Sequence, residues 1–188
     1  MSRVVDLHKS SAPTSLGIFI ITCSTSKFHE LSIGTKPEDA SGDIIQQLAL
    51  RAGHRVEGRE LISDSKTMIQ KTLKHALATK TVDAIIMTGG TGLSPRDVTV
   101  ESTTPMMDKE IPGFGELFRK ISYDKIGPAA IMSRALAGSV KGRMLFCLPG
   151  SPDAVQTAME QLILPELGHM IRIVREHPSA SRNLRPKR

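Results

Sequence analysis

The sequence has few aromatic residues, no tryptophan and only two cysteines. With one Tyr and five Phe in 188 residues, it lacks the aromatic stacking platforms that many RNA-binding modules use. Cys23 and Cys147 each lie in a short apolar run, "LGIFIITC" and "MLFCLPG", and neither belongs to a C-x-x-C pair. We therefore expect two reduced thiols in the core of the fold.

No apolar run approaches the roughly 20 residues that a membrane-spanning helix needs. The N-terminal stretch "MSRVVDLHKSSAPTS" is polar and has no apolar signal-peptide region. We therefore expect no membrane segment and a cytoplasmic location. The histidines show neither H-x-H nor H-E-x-x-H spacing, so we expect no zinc site.

The net charge of +6 arises largely at the C-terminus, where the last ten residues contain four basic side chains and no acid. A basic tail of this kind can bind nucleic acid, but it is more often a solvated end, so we expect no nucleic-acid partner. Length and composition fit one domain with a sizeable core. We predict a flexible segment over 1–15, one domain over 16–175 and a basic flexible tail over 176–188.

Strand patterns alternate with amphipathic helix patterns along the chain; the strand pattern over 54–62 is alternating and the other three are apolar runs. The predicted strands cover residues 16–22, 54–62, 83–88 and 144–148. The predicted helices start at caps formed by Ser41 and by Asp64 or Ser65, and two more cover 114–122 and 151–167. Residues 24–40 are predicted as a loop. This order predicts an α/β fold: a doubly wound, mostly parallel sheet with helices on both faces.

Every polar motif of interest follows a predicted strand. "CSTSK", "ISDSK", "TGGTGLSPRD" and "LPGSPD" come after the four strands in turn. Because ligands of open α/β sheets gather at the carboxyl ends of the strands, these loops are candidates for one site.

The stretch "TGGTGLSPRD" has two interpretations. Gly89, Gly90 and Gly92 can take positive φ and bring backbone N–H groups close to an anion, which a Cβ would obstruct. The same glycines would also serve a plain turn, and no Walker A or G-x-G-x-x-G pattern is present. From the motif alone, a turn and a phosphate cradle are equally good interpretations.

Asp64 and Asp97 favour the phosphate cradle. Each follows a predicted strand end, where helix capping is the alternative role for either residue alone. Two carboxylates beside a phosphate site suit Mg²⁺, which accepts one or two protein oxygens together with phosphate oxygens and water. Ser133 has no neighbouring histidine that would activate it as a nucleophile, so we expect a hydrogen-bonding role for it.

Four motifs in this order and spacing, "TGGTGLSPRDVTVE", "EIPGFGELFR", "SRALAG" and "LPGSPDAV", resemble the MoaB/MogA family of molybdenum cofactor biosynthesis proteins. The resemblance runs from about Gly17 to His169, includes "DASGDII", and looks most like the archaeal MoaB branch. It implies the molybdopterin-binding fold, a homotrimer or a hexamer of two trimers, and contact with other cofactor-synthesis enzymes.

The resemblance also implies molybdopterin adenylyltransferase activity with ATP and molybdopterin as substrates and Mg²⁺ as the metal. The alternative is a non-catalytic molybdopterin-binding scaffold. Carried over by motif, Asp64 and Asp97 become the catalytic and Mg²⁺-binding residues. The other expected substrate contacts are Ser24, Ser26, Asp39, Gly42, Thr88, Gly89, Gly90, Thr91, Gly92, Ser133, Arg134, Pro149, Gly150 and Ser151. Lys27 departs from the family pattern, which often has Arg or Asp there, and lysine lacks the two-pronged guanidinium.

Overall fold

The computed structural model describes residues 13–176, in which a six-stranded sheet lies between two layers of helices. The strands are β1 (Gly17–Cys23), β2 (Arg55–Ile62), β3 (Ala84–Thr88), β4 (Lys109–Glu110), β5 (Leu136–Val140) and β6 (Arg143–Leu148), in the order β2-β1-β3-β6-β5-β4. Strands β2, β1, β3 and β6 are parallel, whereas β5 and β4 add an antiparallel edge. The predicted doubly wound α/β fold is confirmed.

Seven α-helices occur between residues 13 and 176. They are α1 (Thr25–Ser32), α2 (Ala40–Arg51), α3 (Lys66–Ala78), α4 (Thr99–Thr103), α5 (Pro112–Ile126), α6 (Pro152–Ala158) and α7 (Leu167–Arg175). None of the helices in this part of the chain is long and apolar enough to cross a membrane.

Alternation along β1 divides the core into two layers. Ile18 and Ile20 pack on one face with α2, α5, α6 and α7. Phe19 and Ile21 pack on the other face, where α3 contributes its apolar side. Every residue of β1 is buried, as expected for a strand covered on both faces. Because helices cover both faces of the sheet, the strand ends and the loops attached to them are the parts of the sheet that stay uncovered.

The structure corrects the prediction for residues 24–40, which contain a helix. Helix α1 buries none of its residues, so it lacks the apolar stripe by which a helix is recognised in a sequence. Ser24 caps α1, and its hydroxyl accepts a hydrogen bond from the Lys27 amide. The cap of α2 was also wrong: Asp39, not Ser41, accepts from the Gly42 amide at 3.1 Å.

The C-terminal half of the structure also differs from the predicted elements. Strands β4 and β5 were not predicted. The predicted helix over 151–167 is divided: Pro152 lies in the first turn of α6, as expected, but a π-helical turn follows at Met159–Ile163, and α7 begins only after Pro165. The predicted flexible ends, 1–15 and 176–188, fall outside the described residues apart from 13–15 and 176, and they stay predictions.

Candidate functional site

The loops after β1, β2, β3 and β6 meet at the carboxyl edge of the sheet. The chain passes from β1 to β2 on one side and returns to β3 on the other, so the strand order reverses between β1 and β3. A crevice forms at such a reversal and is the usual ligand site of this architecture. The residues before β5 reach the same edge, because Leu136 pairs with Cys147 near the end of β6.

The glycine loop directly follows β3 at this reversal point. Gly89 and Gly90 have φ values of +90° and +61°, a region that residues with a Cβ rarely adopt. A Cβ on Gly89 would collide with the carbonyl oxygen of Cys23, and one on Gly90 would lie 2.5 Å from Asp64 Oδ1. The loop therefore needs glycine both for its backbone angles and for close approach to its neighbours.

Buried threonines hold the glycine loop from beneath. Thr88 Oγ1 donates to the Pro149 carbonyl at 2.9 Å. The amide and hydroxyl of Thr99 donate to the carbonyls of Gly90 and Gly89, both at 2.9 Å. Both threonine side chains are fully buried. The structure thus places Thr88, predicted as a substrate contact, under the loop rather than on its surface.

Four consecutive backbone N–H groups of the loop are left without an acceptor. Within residues 13–176, no oxygen accepts from the amides of Gly90, Thr91, Gly92 or Leu93, whereas the Gly89 amide donates to Leu148 and the Ser94 amide to Asp97. Successive unpaired amides in a glycine-rich turn form a concave anion site. This arrangement favours the phosphate cradle over the plain turn.

Asp64 lies in the loop after β2, between the loops that follow β1 and β3. Its Oδ2 accepts from the amide and the hydroxyl of Thr25, at 2.8 and 2.9 Å. Its Oδ1 is buried and has no hydrogen-bond partner among the described residues. Helix capping, the alternative role, is not what Asp64 does, because Ser65 occupies the N-cap position of α3. A buried carboxylate oxygen without a partner is costly unless a ligand satisfies it.

Asp97 is held in a similar way. Its Oδ2 accepts from the Ser94 amide at 3.0 Å and closes the turn "SPRD". A Cβ on Gly92 would lie 2.7 Å from the same oxygen, so the glycine allows the carboxylate to lie against the cradle. No donor in the described part of the chain contacts Asp97 Oδ1. Each aspartate is thus anchored through one oxygen, and its other oxygen has no hydrogen-bond partner within residues 13–176.

Arg134 fastens the outer side of the glycine loop. Its Nε donates to the Thr91 carbonyl and its Nη2 to the Gly92 carbonyl, both at 2.8 Å. Its Nη1 donates to Glu101 Oε1 at 2.6 Å, and this hydrogen bond lowers the pKa of Glu101 below its usual value. Arg134 was predicted to contact substrate, but its guanidinium is largely occupied by the protein itself.

Two adjoining cavities open at this edge. The larger, of about 400 Å³, is lined by Gly89, Gly90, Thr91, Gly92, Asp97, Met132, Ser133, Arg134, Pro149 and Gly150. The smaller, of about 100 Å³, shares Ser133 and Pro149 with it and adds Ser151 and Lys125. The structure therefore brings together most of the predicted site, from the glycine loop to the "LPGS" loop, around two adjoining cavities.

Six of the predicted site residues line neither cavity: Asp64 and Thr88, described above, and Ser24, Ser26, Asp39 and Gly42. Ser24 caps α1 and Ser26 lies in its first turn, with their hydroxyl oxygens 3.3 Å apart. Asp39 is occupied within the chain, since Oδ2 accepts from Thr22 at 2.9 Å and from Arg59 at 2.7 Å. Gly42 packs so closely on Asp39 that a Cβ would collide with its carboxylate. In this structure Asp39 and Gly42 shape the start of α2.

Lys27 is also engaged away from the cradle. Its ammonium group donates to the Glu38 carbonyl at 2.6 Å and thereby holds the segment between α1 and α2 against α1. Lys27, which departs from the family pattern, thus uses its ammonium group for a contact within the chain.

The two cysteines are free and buried, as predicted. Burial raises the pKa of both thiols to about 12, so neither forms a reactive thiolate at neutral pH. No group of three or more His, Cys, Asp and Glu side chains suited to a metal ion occurs within residues 13–176. A metal at this edge would thus depend on few protein oxygens.

Thr25, Thr99 and Glu101 were not predicted. Thr25 orients Asp64, Thr99 holds the loop, and Glu101 holds Arg134. Thr99 and Glu101 fall within the quoted motif "TGGTGLSPRDVTVE", which was the available signal. Thr25 acts on a residue 39 positions away, and no local pattern indicates such a contact.

Comparisons of the sequence and of the structure with known proteins lead to the same group of proteins. Residues 19–169 match a family model described as a probable molybdopterin binding domain. The chain is 42% identical over 164 residues to molybdenum cofactor biosynthesis protein B from Bacillus cereus, covering 87% of this chain and 93% of that protein. It is 38% identical over 157 residues to a probable molybdopterin adenylyltransferase from Methanocaldococcus jannaschii, covering 84% and 93%. The crystal structure of the tungsten cofactor synthesizing protein MoaB from Pyrococcus furiosus aligns with a TM-score of 0.77 at 34% identity, covering 88% and 100%.

Proposed function

The chain belongs to the family of probable molybdopterin binding domains, and from this premise we propose that it is a molybdopterin adenylyltransferase. The family assignment makes it a MoaB-type protein of molybdenum or tungsten cofactor biosynthesis. In the proposed reaction, an oxygen of the terminal phosphate of molybdopterin attacks the α-phosphorus of ATP. A new P–O bond forms, the bond between the α-phosphorus and the bridging oxygen breaks, and pyrophosphate leaves.

The observation that carries this proposal is the run of unpaired amides from Gly90 to Leu93 beside two aspartates, Asp64 and Asp97, that each have one carboxylate oxygen without a partner within residues 13–176. These amides can donate to phosphate oxygens. The attacking phosphate is already anionic, so the reaction needs alignment and charge neutralisation more than a general base. A crevice with amide donors and without a histidine among its lining residues suits this chemistry.

We propose Mg²⁺ as the metal and Asp64 and Asp97 as the residues that would hold it. Their Oδ1 atoms support this, since neither accepts a hydrogen bond from residues 13–176 and the one on Asp64 is buried. Mg²⁺ accepts carboxylate oxygens and completes its shell with phosphate oxygens and water. When bound, the ion would neutralise phosphate charge during transfer.

A homotrimer, or a hexamer of two trimers, is also part of the proposal. It is supported by apolar side chains that lie exposed on α5 and the 3-10 turn after it: Leu117, Tyr123, Ile126, Ile131 and Met132. An exposed apolar surface of this kind is typical of a subunit interface. The same surface also favours the alternative function, a non-catalytic molybdopterin-binding scaffold that contacts other cofactor-synthesis enzymes.

The deciding experiment is incubation of the full-length protein with molybdopterin, ATP and Mg²⁺, with mass detection of adenylylated molybdopterin. We expect product and pyrophosphate in equal amounts, and no product when Mg²⁺ is chelated. Light scattering on the same sample gives the oligomeric state. An intact oligomer that binds molybdopterin but forms no product would contradict the enzyme and support the scaffold.

A further inference from the structure

Arg134 and Glu101 form a contact that bears on how the glycine loop presents its amides. Arginine carries five N–H donors and no acceptor. Four contacts from the Arg134 guanidinium go to the protein: the Thr91 carbonyl, the Gly92 carbonyl and both carboxylate oxygens of Glu101. At most one N–H therefore remains for a ligand, which is too few for a two-pronged grip on a phosphate.

Fixing the two carbonyls also fixes the amides that follow them. A trans peptide unit is planar, so its N–H points opposite to its C=O. The Thr91 carbonyl shares its peptide plane with the Gly92 amide, and the Gly92 carbonyl shares its plane with the Leu93 amide. Because both carbonyls point to Arg134, both amides are directed away from it. Glycine at 92 would otherwise let this peptide plane rotate freely.

Glu101 fixes the arginine in turn. It lies in α4, whose start is tied to the loop through Thr99, and it contacts the guanidinium at 2.6 and 3.4 Å. The Arg134 side chain is 29% exposed and that of Glu101 is 52% exposed. An ion pair with this exposure contributes little to stability. Its main consequence is thus geometric.

We propose that Arg134 and Glu101 are positioning residues: the pair holds the glycine loop in its anion-binding conformation, and Arg134 does not itself bind the substrate phosphate. This inference rests on the proposed function for the identity of the anion. It assigns Arg134 a different role from that of the aspartates, which face the reacting groups.

Glu101→Gln separates the two roles of Arg134 by the sign of the effect. Removing a negative charge near an anion site should by charge alone tighten anion binding. If the pair positions the loop, the same change weakens binding, because the guanidinium loses its charged partner. Arg134→Lys keeps the positive charge but cannot reach both carbonyls and Glu101 at once. Glu116→Gln, an exposed glutamate on α5, is the matched loss of one negative charge.

The experiment is calorimetric titration of the full-length protein with inorganic pyrophosphate. We expect Glu101→Gln and Arg134→Lys each to raise the dissociation constant at least ~5-fold, the scale of one lost hydrogen bond. Glu116→Gln should bind like the wild type. Amide NMR shifts of Gly92 and Leu93 should move in the first two variants without ligand, while the unfolding temperature stays close to that of the wild type.

Unchanged or tighter pyrophosphate binding by Glu101→Gln would overturn the proposal, and so would unchanged amide shifts. A wild-type protein that binds no pyrophosphate would contradict both the anion cradle and its positioning by Arg134. Neither readout requires turnover. Failure to form adenylylated product would therefore remove the proposed reaction while this measurement still decides the role of Arg134.

Discussion

The two edges of the parallel sheet treat their polar groups in opposite ways. At the amino edge, both carboxylate oxygens of Asp83 are used, since Oδ2 accepts from the Gly17 amide and Oδ1 from Arg175, each at 2.6 Å. Arg143 donates to the Val82 carbonyl at 2.9 Å at the same edge. The polar groups of this edge join β1, β3, β6 and α7 into one unit.

At the carboxyl edge, groups of the same kinds lack partners. The amides of Gly90, Thr91 and Gly92 and the Oδ1 atoms of Asp64 and Asp97 have no partner within residues 13–176. An unsatisfied polar group near the protein interior lowers stability unless a ligand completes it. The amino edge thus stabilises the fold, whereas the unpaired groups of the carboxyl edge support the proposal that it binds a ligand. Substitutions at the amino edge should therefore lower stability and leave turnover intact. Substitutions at the carboxyl edge should lower turnover and leave stability intact.

Asp97→Asn should lose more activity than either Asp83→Asn or Gly90→Ala. We expect a fall of at least ~10²-fold, the scale of losing one preorganised charge-stabilising group, with little change in the unfolding temperature. Asp83→Asn is the matched control at the amino edge and should keep its turnover. Adenylylation rates of the two variants, measured together with their oligomeric state, check this. Wild-type turnover in Asp97→Asn would show that Asp97 does not take part in the reaction.

Gly90→Ala tests whether the backbone of the carboxyl edge is specialised. The new Cβ would lie 2.5 Å from Asp64 Oδ1, and displacing a site group in this way should lower turnover at least ~10-fold. Gly53 has a comparable φ of +83° but open space around it. Gly53→Ala should thus lose about 1 kcal/mol of stability through backbone strain and keep its turnover. Equal turnover in the two variants would argue against a special loop.

The sequence predicted those parts of the fold and of the site that have a local sequence pattern. The glycine loop and both aspartates were placed after strand ends because strands are readable from local pattern, β3 as a continuous apolar run and β2 as an alternating one. Helix α1 was missed because it buries no residue. Strand β5 has the pattern "LAGSV", with small residues and no regular alternation, so it gave no strand signal.

Contacts between distant residues could not be predicted. Asp39 was expected to contact substrate, but its carboxylate meets Arg59, 20 residues away. The role of Arg134 depends on carbonyls 42 and 43 positions away. Sequence pattern identifies a polar residue near a strand end. Whether that residue faces a ligand or another part of the chain depends on tertiary packing.

Asp83→Ala should show the reverse of the effect at Asp97. It removes the acceptor of both the Gly17 amide and Arg175 at a side chain only 13% exposed. We expect a loss of about 2 kcal/mol in the free energy of unfolding, the scale for hydrogen bonds to a charged group. Denaturant unfolding measures this loss, with Asp97→Asn as the reference. A stability equal to that of the wild type would mean that the amino edge does not stabilise the fold.

The smallest expected effect is a pH dependence at the amino edge. His54 is buried, and its Nδ1 accepts from the Leu16 amide at 3.3 Å, which requires an unprotonated Nδ1. Burial, with a smaller contribution from Arg55, lowers the pKa of His54 below 6.5. The unfolded chain therefore binds a proton more readily than the folded one. The contribution of His54 to stability is complete above pH 6.5 and is lost as the pH falls through the lower folded pKa.

The unfolding temperature, measured between pH 7.5 and 5, should therefore decrease with a measurable slope as the pH falls. His54→Gln should reduce this slope, because an amide oxygen can accept the same hydrogen bond without titrating. A slope that is unchanged in His54→Gln would place the proton uptake elsewhere and leave this edge without a pH-sensitive contact.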